Sequence, residues 1–78
     1  MDQPVFTDGQ RVRTLIHLTS AYWHPEQPDI PVGALGTVDY IHYRHDFPTV
    51  PFGYGVMLDD SVERLSAWMD PQDIEPAP

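Results

Sequence analysis

Three of the four histidines of this chain lie in the first long loop, at the end of the second predicted strand and in the connection after it. Histidine is the side chain here best suited to binding a metal ion. The three are His24, His42 and His45, and Glu26 and Asp46 stand close by in the sequence. Imidazole and carboxylate groups are ligands that zinc and nickel accept. The alternative is that the histidines are exposed loop side chains without a binding role. None of the spacings matches a known metal-binding motif, so we expect neither a metal ion nor any other cofactor.

The remaining reactive residue types do not assemble into a recognisable catalytic set. The chain has no cysteine, which excludes a thiol nucleophile, a disulfide framework and a cysteine-based zinc site. Ser20, Ser61 and Ser66 lack the surroundings of a known nucleophile motif. Asp59 and Asp60 are adjacent carboxylates, but a pair between two strands is typical of a turn. We therefore expect a protein that is not an enzyme.

Aromatic side chains are more numerous than the core of so small a domain requires. They include Tyr22, Trp23, Tyr43, Phe47, Phe52, Tyr54 and Trp68. We expect Phe52 and Tyr54 in the core, and an exposed remainder would form an apolar patch of the kind that marks an interface. For Trp23 and Trp68 the sequence leaves two alternatives open, packing over the core and contact with a partner.

The elements that position these residues are predicted to be strands. Period-two alternation of β-branched and aromatic residues predicts strands over residues 10–18, 37–43, 53–59 and 62–69, with a short fifth strand at 74–75. In residues 37–43 the alternation is strict, which places Val38, Tyr40 and His42 on one face. The predicted core consists of Val12, Ile16, Val38, Val56, Leu58 and Ala67.

Two connections are punctuated by proline. The loop of residues 19–31 contains Pro25, Pro28 and Pro31, and a loop of this length in a small domain is usually functional or poorly ordered. Pro71 follows Asp70 and predicts a 3₁₀ turn over residues 70–73, immediately before the last strand. The chain of 78 residues therefore forms one all-β domain, with loose ends at residues 1–4 and 76–78.

This order of elements resembles the SH3-like small β-barrel of the bacterial, viral and KOW-like types. The resemblance is carried by GQRVRTL at residues 9–15, IPVGALGTV at 30–38 and AWMDPQDIEP at 67–76. Peptide-binding SH3 domains open the third strand with a tryptophan pair and have a tyrosine in the 3₁₀ turn. This chain has Phe52-Gly53-Tyr54 and Gln72-Asp73 at those positions. The resemblance thus implies a five-stranded barrel but not recognition of proline-rich peptides.

The resemblance also implies where a partner would bind. In such barrels the loop after the first strand and the connection after the second form the walls of one groove, which here are residues 19–31 and 44–52. The three histidines His24, His42 and His45 would then approach one another. The expected partner-binding residues are Tyr22, Trp23, Glu26, Asp29, Tyr43, Asp46, Phe47 and Trp68.

The charge of the chain limits the kind of partner. Four arginines and no lysine stand against twelve acidic residues, a formal net charge of −8. This charge repels phosphate backbones, so we expect no nucleic-acid binding. Acidic surfaces usually serve solubility alone, and the sharper alternative is a basic partner protein. The N-terminus lacks the features of a signal peptide and there is no long apolar run, so we expect a soluble cytoplasmic protein without membrane contact.

These observations favour a non-catalytic protein-interaction module that binds a protein partner through its loop aromatics. The alternative is an accessory barrel subunit of a larger enzyme assembly, a role that similar barrels fill, and nucleic-acid binding ranks third. The identity of the partner and the oligomeric state are not specified by the sequence.

Overall fold

The computed structural model describes residues 5–46 and 49–78. Its strands are β1 (Arg11–Thr14), β2 (Leu35–Tyr43), β3 (Pro51–Leu58), β4 (Ala67–Met69) and β5 (Ile74–Pro76). A single helical turn, α1 (Ser20–Trp23), stands in the first loop, and short 3₁₀ segments cover Val62–Arg64 and Pro71–Asp73. Within the described ranges, no helix has the length and apolar character needed to cross a membrane.

The strands form one antiparallel sheet in the order β4-β3-β2-β1-β5, curled into a half-barrel. The all-β prediction is therefore confirmed, together with the long first loop and the 3₁₀ turn before the last strand. This arrangement is consistent with a small SH3-like barrel. Strands β4 and β5 are the two edge strands of the sheet, so each has one edge that pairs with no other strand of the sheet.

The core lies on the inner face of the half-barrel and contains most of the predicted set. It also contains four residues that were not predicted, Phe6, Ile30, Met69 and Ile74. Every predicted core residue is buried except Ile16, which is partly buried and packs against the others. Tyr54 is fully buried, as expected, and its hydroxyl accepts a hydrogen bond of 3.1 Å from the backbone N–H of Phe6. The Phe6 ring meets the Tyr54 ring edge to face at 5.3 Å. Tyr54 thereby secures the segment before β1.

Strand β2 departs from strict alternation because of a bulge. Val38 lies opposite Val56 and Tyr40 lies opposite Gly55, so Asp39 has no partner in the register. An extra residue in one strand turns the following side chains to the other face. Tyr40 is accordingly 60% exposed rather than inward-facing, and Ile41 packs against the core instead.

The sequence pattern also predicts the wrong face of the sheet for Phe52. A second register shift separates His42, opposite Gly53, from Tyr43, opposite Pro51, and leaves Phe52 without a partner. Phe52 is 46% exposed, and its ring lies against Trp68 on the outer face of the sheet. The expectation that it fills the core is therefore wrong.

The predicted fourth strand is too long at its beginning. Glu63 and Arg64 both have φ of 58°, and the N–H of Leu65 donates to the carbonyl of Val62 at 3.4 Å. Two successive left-handed residues reverse the chain, as in a type I′ turn, so residues 62–65 cannot be extended. The strand forms only at Ala67.

The first and last strands also differ from their predicted bounds. Strand β1 ends at Thr14, and beyond it only Leu18 forms a ladder-type bridge, with Ile30. Residue 76 is not a loose end, because Pro76 belongs to β5 and pairs with Val12. The N–H of Ala77 then donates to the carbonyl of Arg11 at 2.9 Å.

Candidate partner-binding groove

A groove of about 530 Å³ separates the first loop from β4. Its volume falls within the ~300–1,000 Å³ range of ligand pockets. One wall comes from the segment after β1 and from α1, the other from β4 and the residues before it, and two aspartates complete the lining. The lining residues are Ile16, Leu18, Tyr22, Trp23, His24, Leu65, Ser66, Ala67, Trp68, Asp70 and Asp73. This set is called the groove below.

Gln27 connects the first loop to the turn that precedes β4. Its side-chain oxygen accepts from the N–H of Val62 and its amide donates to the carbonyl of Val62, both at 2.7 Å. Gln27 is only 6% exposed. The Gln27 side chain thus makes the two hydrogen bonds that a neighbouring strand would make to Val62. These bonds fix the position of the loop, whose three prolines cannot donate backbone hydrogen bonds.

Trp23 and Tyr22 stand side by side in α1 but have different surroundings. The Trp23 ring is partly buried and packs against the core, and its indole N–H donates to the carbonyl of Pro28 at 3.3 Å. Tyr22 is 80% exposed. At the start of α1, the N–H of Ser20 donates to Asp29 at 2.7 Å. Asp29 thus satisfies a backbone donor that a helix start leaves free.

Trp68 forms the opposite wall and rests on a glycine. A Cβ built on Gly53 would lie 2.0 Å from a carbon of the Trp68 ring, so the absence of a side chain there makes room for the indole. The indole N–H donates to Asp70 at 3.0 Å. Trp68 is nevertheless 45% exposed. Its ring is therefore held in place while one side remains open to solvent.

Further rings support Trp68 on the outer face of the sheet. We call Tyr40, His42, Phe52 and Trp68 the aromatic cluster. The ring centroids of His42 and Trp68 are 4.3 Å apart, those of Tyr40 and His42 4.4 Å, and those of Phe52 and Trp68 5.5 Å. Spacings this short leave no room for a ligand between the rings. The cluster therefore positions Trp68 rather than forming a cage of its own.

The groove carries negative charge. Asp70 and Asp73 belong to its lining, whereas none of the chain's four arginines does. Elsewhere, Arg11 pairs with Asp59 at 2.7 Å, and two further arginines form ion pairs outside the groove, Arg13 with Glu75 and Arg44 with Asp46. Hydrogen bonds from Arg11 hold the pKa of Asp59 below its ordinary value of 3.8, and burial opposes this shift only in part. Asp70 and Asp73 are therefore the acidic side chains of the groove lining, and no arginine in that lining opposes them.

The structure brings some of the predicted site residues together and separates others. Tyr22, Trp23 and Trp68 line the groove, but its second wall is formed by residues 65–68 and not by the predicted connection 44–52. The reason is that β2 and β3 pair as far as Tyr43 and Pro51, so the connection lies at the tip of a long hairpin. Tyr43 and Asp46 are exposed in that region, and Glu26 and Asp29 are exposed in the first loop without lining the groove. Phe47 lies outside the described residues.

The histidines do not converge either. His24 lines the groove, His42 belongs to the aromatic cluster, and His45 borders a shallow depression with Arg44, Asp46 and Phe52. In the part of the chain that the structure describes, no group of three or more histidine, aspartate or glutamate side chains is arranged to hold a metal ion.

The sequence did not identify the residue that holds the loop, Gln27, or the two that give the groove its charge, Asp70 and Asp73. It also did not identify the lining residues Ile16, Leu18, Leu65, Ser66 and Ala67. Gln27 carried no signal, because a polar residue between prolines is typical of an exposed loop. Asp70 and Asp73 were assigned only to the 3₁₀ turn. That turn follows β4 directly, and this adjacency was the available signal that its carboxylates stand beside Trp68.

Comparison with known proteins yields no relative: no family model matches the chain, and neither a curated protein nor a solved structure is significantly similar to it.

Proposed function

We propose that this chain is a non-catalytic protein-interaction module, of the SH3-like type, that binds a basic segment of a partner protein in the groove. The observation that supports this is the combination of Tyr22 and Trp68, both exposed, with Asp70 and Asp73 in the same lining. Aromatic faces and carboxylates both attract arginine and lysine side chains.

The energetics favour a modest and salt-sensitive interaction. A cation over an aromatic ring contributes about 0.5–1 kcal/mol at an exposed site and about 2 kcal/mol once water is excluded. The net charge of −8 adds long-range attraction that raises the association rate of a basic partner and falls with salt. Trp68 is the expected hot spot, because tryptophan in a supported position contributes most to binding at interfaces.

The proposal can be tested with peptides selected from a random phage-displayed library by the wild-type chain. We expect the selected sequences to be rich in arginine or lysine next to apolar residues, and their affinity to fall with increasing salt. Trp68→Ala should weaken the binding of a selected peptide by about tenfold or more, the scale of a hot-spot residue.

Tyr43→Ala is the matched control, because it removes an exposed aromatic ring from the hairpin tip, outside the groove. It should leave the affinity within about twofold, as for a neutral surface change. Acidic selected peptides, or equal losses for Tyr43→Ala and Trp68→Ala in folded variants, would contradict the proposal. A mobility shift of DNA or RNA at low salt would contradict the exclusion of nucleic acids.

A further inference from the structure

The position of β4 in the sheet suggests how a partner segment would enter the groove. Strand β4 is the last strand on its side of the sheet, and it pairs with β3 through Ala67, Trp68 and Met69. Ala67 and Trp68 line the groove. The free edge of the half-barrel and the candidate binding site are therefore next to each other.

The backbone of this edge has unused hydrogen-bonding groups. In an antiparallel ladder, successive residues alternately direct their N–H and C=O groups toward the neighbouring strand and away from it. Either Trp68, or both Ala67 and Met69, must therefore direct these groups away from β3. Among the described residues, no backbone hydrogen bond outside the β3–β4 ladder reaches any of the three.

The two edges of the sheet differ in how they are protected. Proteins block exposed edges with proline and charged residues, which prevent a further strand from pairing. Strand β5 contains Glu75 and Pro76, so its edge has this protection. The three residues of β4 include neither a proline nor a charge. The edge beside the groove is thus the one that can accept another strand.

We propose that the partner segment binds as an added β-strand, paired with the free edge of β4, with apolar and basic residues in alternation. This inference rests on the proposed function and specifies its binding mode. Successive side chains of a strand point to opposite faces. With this alternation, one face of the partner segment is apolar and packs against Ile16, Leu18 and Ala67. The other face is basic and lies beside Asp70 and Asp73. Main-chain hydrogen bonds would supply affinity and the side chains specificity.

The experiment uses a defined probe, an end-blocked peptide of eight residues in which arginine and valine alternate. A peptide of the same composition with four arginines followed by four valines is the matched control, because it has the same charge without the alternation. Binding is measured by calorimetry with the full chain, in wild-type form and as Trp68→Ala. Amide hydrogen exchange of residues 66–70 is followed by NMR in the same samples.

We expect the alternating peptide to bind in a saturable way, more tightly than the block peptide, and more weakly to Trp68→Ala. At a free concentration of about ten times Kd, exchange of at least one amide among Ala67, Trp68 and Met69 should slow about tenfold. Exchange at β5 should not change. An analogue with every backbone nitrogen methylated should not bind, because it has no N–H groups left to donate on either edge of the peptide strand.

The outcomes separate this inference from the proposed function. Binding that depends on Trp68 without slower exchange in β4, or binding that survives full methylation, would overturn strand addition and leave the interaction module standing. Protection at β5 instead of β4 would overturn strand addition in the same way. The absence of saturable binding by either peptide would overturn both proposals.

Discussion

The two tryptophans of the chain lie on opposite walls of one groove and are held there in different ways. Trp23 belongs to a loop, and its ring packs against the core. Trp68 belongs to a strand, and its ring lies on Gly53 with nearly half of its surface exposed. Each indole N–H has a partner close in sequence, Pro28 for Trp23 and Asp70 for Trp68.

The difference shows what each kind of backbone can support. A loop has few internal hydrogen bonds, so an aromatic ring on it contributes to order by being buried. A strand is already fixed by its ladder, so it can hold a ring in a defined position and still leave it open to a partner. We therefore expect substitutions near Trp23 to act mainly on stability and substitutions near Trp68 mainly on binding.

The largest effect is expected from Trp23→Ala. Removal of a packed tryptophan costs about 3 kcal/mol of unfolding free energy, whereas Trp68→Ala should cost about 1 kcal/mol, because its ring is partly exposed. Equilibrium urea unfolding of the two variants measures both values. If Trp23→Ala left stability almost unchanged and removed peptide binding, Trp23 would be an interface anchor. The assignment of Trp23 to stability and Trp68 to binding would then be wrong.

The next largest effect is expected from Gln27→Leu. This substitution leaves the N–H of Val62 without its partner and the C=O of Val62 with only the 3.4 Å bond from Leu65, which costs about 2 kcal/mol. Gln72→Leu is the matched control, because Gln72 is exposed, and it should change stability by no more than about 0.5 kcal/mol. Equal effects of the two variants in urea unfolding would show that Gln27 does not fasten the loop.

Much of the fold was predictable because it depends on local patterns. Alternation identified the strands, and the inward residues Val12, Val38 and Val56 followed from it. The bulge at Asp39 was not predictable, since the sequence around it alternates without interruption while the register shift depends on pairing with β3. The outward position of Tyr40 was not predicted for this reason, and that of Phe52 was not predicted because of the second register shift, between His42 and Tyr43.

The candidate site was less predictable than the fold because its parts are distant in sequence. The aromatic content of the first loop drew attention to Tyr22 and Trp23, and both line the groove. The opposite wall could not be identified, because it requires the left-handed turn at Glu63 and Arg64, two residues without the usual preference for such a conformation. Only the three-dimensional structure places Trp68 across from the loop.

A smaller effect is expected from Gly53→Ala, which tests the support of Trp68. The added Cβ would collide with the Trp68 ring and displace it, at a cost of about 1 kcal/mol, the lower end for overpacking. Tryptophan fluorescence should shift to longer wavelength and peptide binding should weaken. In a Trp68→Ala background the same substitution should cost almost nothing, so a double-mutant cycle isolates the contact. Additive costs would mean that Gly53 is not the support of the ring.

The smallest effect is expected from Asp59→Asn, which removes a carboxylate outside the groove lining. The folded-state pKa of Asp59 is lowered by hydrogen bonds from Arg11, so its contribution to stability is present above the ordinary value of 3.8. It is lost as the pH falls through the lower folded-state pKa. The stability difference between wild type and variant should therefore be constant near neutral pH and vanish in acid, as urea unfolding at several pH values would show.

Asp73→Asn makes the same change of charge inside the groove and should weaken binding of a basic peptide. Asp59→Asn should not, because Asp59 is outside the groove lining and its carboxylate is already paired with Arg11. Equal losses of affinity for both variants would mean that overall charge, rather than the groove beside Trp68, attracts the partner.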